Sequence, residues 1–196
     1  MKYAVFGGTF DPIHTGHLAL AEAVKDQLGL DLVILVPNAR NPLRRQAHAS
    51  SADRLKMCQL ALEGHPGLVV SDVEVSRGGK SFMVDTLEEL HMTQPGHAWL
   101  VMGTDALANF VQWRKPIRIC QIARLAVIER PGKSLETAIA SLPESICDVL
   151  DVVKLPPNRT ASNIIRDLIA RGEPADLWLH PKVWEYIVER GLYQIK

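Results

Sequence analysis

The feature that most constrains this chain is the order of events in its first eighteen residues. A short apolar run, Tyr3 to Phe6, enters Gly7-Gly8-Thr9-Phe10-Asp11-Pro12, and the turn leads through His14-Thr15-Gly16-His17 into an amphipathic pattern from Leu18. Apolar run, glycine-rich turn and helical periodicity in that order predict a strand, a loop and a helix. Gly7 and Gly8 let the backbone approach a ligand with no Cβ in the way. His14 and His17 fall where the helix begins, and the unpaired N–H groups and dipole of that end favour an anion. Imidazole donors beside it suggest a site for nucleotide phosphates. The two histidines are three apart, a spacing that also suits metal ligands, but no third His, Cys or Asp at a fitting distance completes a set.

Strand and helix signals continue to alternate. Strands are predicted at Tyr3–Phe6, Leu32–Val36, Val69–Val75, Trp99–Met102 and Leu125–Ile128, with another at Val149–Leu155. Helices are predicted at Leu18–Leu28, from a cap at Ser51 to Leu62, at Val84–Met92, from Asp105 to about Phe110, at Ser162–Ala170 and at Lys182–Arg190. On the first helix Leu18, Ala21, Val24 and Leu28 would face inward, and on the second Leu55, Cys58 and Leu62. Leu32–Val36 is apolar throughout, the mark of a strand covered on both faces. The alternation predicts an α/β fold, a doubly wound and mainly parallel sheet closed by C-terminal helices, built as one domain over residues 1–196. In such sheets ligands bind beyond the C-terminal strand ends, where the Gly7 loop and Gly103-Thr104-Asp105 both lie. Neither G-x-G-x-x-G nor G-x-x-x-x-G-K-[ST] occurs.

Charge narrows the partners. Lys plus Arg and Asp plus Glu stand at 22 each, so no net field draws the chain to nucleic acid or a membrane surface, and an anionic substrate must be held by local groups. Cys58, Cys120 and Cys147 are odd in number and form no C-x-x-C, which favours reduced thiols and a cytoplasmic protein. No stretch approaches the roughly 18 uninterrupted apolar residues of a membrane span. The apolar segment Leu177 to Tyr193 could pack within the subunit or against a second copy, so a homo-oligomer stays open.

The opening motif resembles the signature of the nucleotidyltransferase superfamily, whose Rossmann-like fold serves attack on the α-phosphate of ATP with release of pyrophosphate. Later segments extend the resemblance over nearly the whole chain to bacterial nicotinate-mononucleotide adenylyltransferases. They are Asn41-Pro42-Leu43-Arg44, Asp53-Arg54-Leu55-Lys56-Met57, Gly79-Lys80-Ser81-Phe82-Met83-Val84-Asp85-Thr86-Leu87 and Met102-Gly103-Thr104-Asp105-Ala106 with Trp113 downstream. Val127 to Gly132, Ala161-Ser162-Asn163-Ile164-Ile165-Arg166 and Val183 to Tyr193 complete the set.

The resemblance implies adenylyl transfer from ATP to nicotinate mononucleotide. His14, His17 and Arg166 would be catalytic. Gly7, Gly8, Thr9, Phe10, Arg44 (with Arg45), Gly103, Asp105 and Ser162 would meet ATP, and Asp11, Phe82, Met83 and Trp113 the acceptor. Mg²⁺ would arrive with ATP and not in a protein cage. Three departures stand out. Ser81-Phe82-Met83 replaces the family's Ser-Tyr-Thr, Pro42-Leu43-Arg44 its Pro-His-Lys, and Ala161-Ser162-Asn163 its Ser-Ser-Thr. Loss of the threonine hydroxyl at Met83 keeps nicotinamide mononucleotide open as the acceptor, and the weakened motifs together keep open a nucleotide-binding homologue without turnover.

Overall fold

The computed structural model describes residues 1–42, 46–129, 135–140, 142–155 and 160–194. Six strands form one sheet: β1 (Lys2–Gly8), β2 (Leu32–Pro37), β3 (Leu68–Val70), β4 (His97–Gly103), β5 (Ala123–Ile128) and β6 (Leu150–Val153). Their spatial order is β3-β2-β1-β4-β5-β6, and every pairing is parallel. The chain therefore winds outward one way from β1 and then, after crossing back to β4, the other way. The carboxyl ends of β1 and β4 diverge at that reversal, which is where a doubly wound sheet opens a crevice.

The helices are α1 (Thr15–Gln27), α2 (Ser51–Ala61), α3 (Val73–Arg77), α4 (Met83–Thr93), α5 (Thr104–Leu107), α6 (Pro116–Ile122), α7 (Leu135–Ile139), α8 (Glu144–Cys147), α9 (Ser162–Ala170) and α10 (Pro181–Arg190). Strand residues alternate between two cores. Ala4 and Phe6, Val33 and Leu35, Ala126 and Ile128 face one cluster with α1, α2, α9 and α10. Tyr3 and Val5, Ile34 and Val36, Leu125 and Val127 face the other, with α4, α6 and α8. Burial on both faces explains why the inner runs Tyr3–Phe6, Val33–Val36 and Leu125–Ile128 are continuously apolar.

Three local expectations are corrected. The strand predicted over Val69–Val75 stops at Val70, and α3 follows. Turn chemistry is the reason: the Ser71 hydroxyl accepts the Val73 N–H, and Ser76 bonds both the Asp72 carbonyl and its carboxylate. The cap of α2 is Ser50, one residue earlier than expected, with its Oγ 3.1 Å from the Asp53 nitrogen. Its buried face is Arg54, Met57, Cys58 and Ala61, while Leu55 is only half-buried. Helix α6, which no hydrophobic pattern announced, starts at Pro116 behind a left-handed Lys115 (φ 52°) and buries a single residue, Ile119. The turn expected at Arg130-Pro131-Gly132 lies outside the described residues.

Candidate active site

The site is built where β1 runs into α1. Beyond Gly8, the Phe10 backbone enters the left-handed region (φ 50°), a conformation that costs a non-glycine residue on the order of 1 kcal/mol and is held by the packing of its ring. That ring, 3% exposed, lies over Gly8: a Cβ there would stand 2.7 Å from Phe10 Cζ. It meets Phe6 and His17 edge-on, with centroids 5.3 and 5.1 Å apart. On the other side of the strand end, the Met83 methyl rests against Gly7 so closely that a Cβ could not share the space.

His14 precedes the first turn of α1 in an extended conformation and is buried. Its ring stacks on that of His17, with centroids 3.7 Å apart and planes 25° from parallel. His17 Nδ1 accepts the His14 backbone N–H at 3.2 Å. A neutral His17 therefore carries its proton on Nε2, leaving a fixed donor at the helix start.

Helix α9 begins against the same loop. Ser162 donates to the Pro12 carbonyl (3.0 Å) and Arg166 Nη1 to the Asp11 carbonyl (2.6 Å). The N-termini of α1 and α9 thus meet at residues 11–14, bringing two positive dipole ends, two imidazoles and a guanidinium together. Gly103 sits at the equivalent end of β4 and leads directly into α5, whose first turn carries the exposed Asp105.

Phe82 precedes α4 with its ring half-buried, and the Arg114 guanidinium lies over it, 4.8 Å from the centroid. Arg114 is also paired with Asp85 at 3.0 Å, and its neighbour Trp113 packs on Phe110. Phe82, Met83 and Trp113 all pack against the second apolar cluster, and of these Met83 reaches Gly7. Arg44 and Arg45 lie outside the described residues.

Asp11 takes a place the motif alone does not suggest. It is 5% exposed, and its carboxylate accepts from the His48 N–H (2.7 Å), the Ala49 N–H (3.0 Å) and the Tyr193 hydroxyl (2.9 Å). Burial and the Asp11 charge both push the Tyr193 phenol far up, so it stays a donor. Thr9 turns its Oγ1 to the Asn38 amide (3.1 Å) and its carbonyl to Arg54. Ser81 closes the other flank, accepting from the Ala39 N–H through Oγ and donating its own N–H to the Arg40 carbonyl.

Arg54, Asn38, Ser81 and Tyr193 are support residues to which sequence reasoning assigned no role. Arg54 alone left a signal, as a cation on the same helical stripe as Met57, Cys58 and Ala61. Among the described residues, no three His, Cys, Asp or Glu side chains cluster to hold a metal ion, and no helix is long and apolar enough to cross a membrane.

A doubly wound parallel sheet with a His-x-Gly-His helix start at its switch point defines a nucleotidyltransferase. The cytidylyltransferase-like family model matches residues 5–168. Full-length relatives include a probable nicotinate-nucleotide adenylyltransferase of Herpetosiphon aurantiacus, 35% identical over 98% of both chains, and one of Bordetella pertussis, 38% identical over 98% of both. Among solved structures, nicotinic acid mononucleotide adenylyltransferase of Plasmodium falciparum complexed with NaAD superposes with a TM-score of 0.79 over 98% of this chain and 97% of that one, at 16% identity. The chain belongs to the cytidylyltransferase-like family, among its nicotinate-nucleotide adenylyltransferases.

Proposed function

We infer that this chain joins ATP and nicotinate mononucleotide into nicotinate adenine dinucleotide, releasing pyrophosphate, a step of NAD synthesis. The observation that carries this reading is the locked His17 ring, held with His14 where two helix N-termini converge. An oxygen of the acceptor's phosphate attacks the α-phosphorus, and the bond from that phosphorus to the bridging oxygen breaks. The electron pair leaves with pyrophosphate. The attacking oxygen is already ionised, so the chain needs no general base and forms no covalent intermediate. Its work is alignment and the neutralisation of charge moving onto the leaving group.

His14, His17 and Arg166 are catalytic in this sense, and Ser162 adds the α9 terminus to the phosphate site. Gly7, Gly8, Thr9 and Phe10 meet ATP, and Arg44 contributes its charge to the triphosphate. Gly103 and Asp105 receive the adenosine. Phe82, Met83 and Trp113 receive the pyridine ring of the acceptor. ATP enters as its Mg²⁺ complex, the ion held by phosphate oxygens and offsetting their charge. The free thiols among the described residues support a cytoplasmic setting.

Pyrophosphate release from Mg²⁺-ATP, with nicotinate mononucleotide, nicotinamide mononucleotide and phosphopantetheine supplied separately, tests the reading. Turnover with the nicotinate substrate well above the others is expected. Preference for the amide reassigns the acceptor, and ATP binding with silence toward all three makes the chain a nucleotide binder without turnover.

A further inference from the structure

Beneath the cleft, out of reach of any substrate, lies a charge that the reaction itself does not call for. Arg54 is 1% exposed, yet its guanidinium is fully engaged. Nη1 donates to the Thr9 carbonyl (2.7 Å) and the Asn38 side-chain oxygen (3.4 Å). Nη2 donates to the carbonyls of Asn38 (2.7 Å) and Ala39 (3.3 Å), and Nε to that of Ala49 (3.4 Å). None of these acceptors is a carboxylate. Burying a cation on neutral amide oxygens alone is costly unless the geometry serves something else. Burial works to strip its proton, and the negative charge of nearby Asp11 opposes that.

The acceptors come from three separate segments, and all three border the cleft: the glycine loop, the turn after β2 and the turn before α2. A cleft that receives phosphate must present N–H groups and hide carbonyls. Because the peptide is planar and trans, a carbonyl drawn down to Arg54 turns the next N–H the opposite way. The Thr9 carbonyl thereby fixes the Phe10 N–H, and the Asn38 carbonyl fixes the Ala39 N–H, which meets Ser81 Oγ at 3.0 Å. Asp11 does the complementary work, gathering the His48 and Ala49 N–H groups.

We propose that Arg54 is a positioning residue for adenylyl transfer: by collecting the carbonyls of Thr9, Asn38, Ala39 and Ala49 it locks the loop after Gly8 to its two flanking turns and holds the Phe10 N–H toward the nucleotide phosphates. The proposal rests on the adenylyl-transfer reading above. It also explains why lysine cannot stand in. An ammonium is a compact charge with three donors, whereas these oxygens surround a planar group and engage Nε, Nη1 and Nη2 together.

The test compares kcat and KM for pyrophosphate release in wild type, Arg54→Lys and Arg54→Ala, beside Ile146→Ala, a buried residue of α8 in the opposite core that lowers the melting temperature without touching the cleft. Arg54→Lys is expected to lower kcat about 100-fold with KM for ATP changed only about threefold, the pattern of lost alignment. Guanidinium ion at low millimolar concentration should raise the activity of Arg54→Ala, and methylammonium, with the same charge and the wrong shape, should not.

Arg54→Lys with kcat no lower than that of Ile146→Ala overturns the proposal, as does equal rescue by both cations. Should neither Arg54 variant fold, Asn38→Ala decides. It removes only the side-chain contacts to Arg54 and Thr9, so kcat should fall several-fold at unchanged KM, and an unchanged kcat refutes the idea. A wild type silent toward every acceptor fails the functional reading instead. In that case ATP affinity by calorimetry, expected to be weaker in Arg54→Lys and to overturn the proposal if equal, reads the positioning role separately.

Discussion

Replacing Gly8 by alanine should damage catalysis more than its single methyl suggests. The new Cβ would stand 2.7 Å from Phe10 Cζ and 2.9 Å from both Cε atoms, so it meets the ring itself and not the end of a mobile chain. Carbon atoms pack at about 3.5–4.0 Å, so the ring must withdraw by roughly 1 Å. It has nowhere free to go, being 3% exposed and wedged between Phe6 and His17. His17 in turn is stacked on His14 and tied to its N–H, so both imidazoles move with the ring. Overpacking of this kind costs about 1–3 kcal/mol of stability, which in a chain of this length lowers the melting temperature by about 3–10 °C. A displacement of 1 Å at the phosphate donors costs on the order of 100-fold in kcat. Gly7→Ala is the internal contrast. Its Cβ meets only the Met83 methyl, a flexible end that can swing aside, so its effect should fall on KM for the acceptor, with kcat and melting temperature nearly kept. Steady-state kinetics and thermal melts on the two variants check this. Gly8→Ala with kcat within about threefold of wild type would refute the claim that the Phe10 ring transmits position to His17.

Other outcomes follow from the same geometry. His17→Ala should lower kcat by on the order of 100-fold with little change in KM, because its contact strengthens as charge reaches the leaving group; an unchanged kcat removes it from the mechanism. Met83→Thr frees the space over Gly7 and restores a hydroxyl, so it should raise kcat/KM for nicotinate mononucleotide relative to the amide, and an unchanged ratio would show that the backbone alone reads the acceptor. Asp53 carries the acid-side prediction. Its carboxyl is held below the usual range, first by the Ser50 hydroxyl, with Tyr186 and Arg190 adding to the effect. A lowered folded-state pKa contributes stability that is present above the unfolded value near 4 and lost as pH falls through the folded one. Asp53→Asn should therefore flatten the fall in melting temperature below about pH 4, and an identical fall in both proteins would contradict it.

The sheet was legible because burial on both faces leaves its central runs apolar without interruption, as at Leu32 to Pro37. The short helices α3 and α6 were not. Each buries one residue, Glu74 in α3 and Ile119 in α6, so neither produces a periodic stripe, and both are started by turn chemistry at Asp72 and Pro116. The site divides along the same line. His14, His17 and the glycines sit within one local motif whose spacing reports their geometry. Arg54 meets Thr9 across 45 positions and Tyr193 meets Asp11 across 182, so no window along the chain contains both partners. Asp11 shows the consequence. Its place in the motif gives no sign of the three donors from elsewhere in the fold that its carboxylate accepts.

That division fits the chemistry. A reaction whose nucleophile arrives ionised needs neither a base nor a covalent intermediate, so little of its rate can come from side-chain reactivity. The rate must come instead from how firmly N–H dipoles and imidazoles are held where charge develops. The irregular segment between Gly8 and α1 has no ladder of its own to supply that firmness. Arg54 from below and Asp11 from the side answer this need, one holding carbonyls and the other N–H groups, with Tyr193 extending the hold to the segment after α10. On this reading the local motif of residues 7–17 identifies the reaction, and the buried charges of Arg54 and Asp11 set how well the loop would perform it.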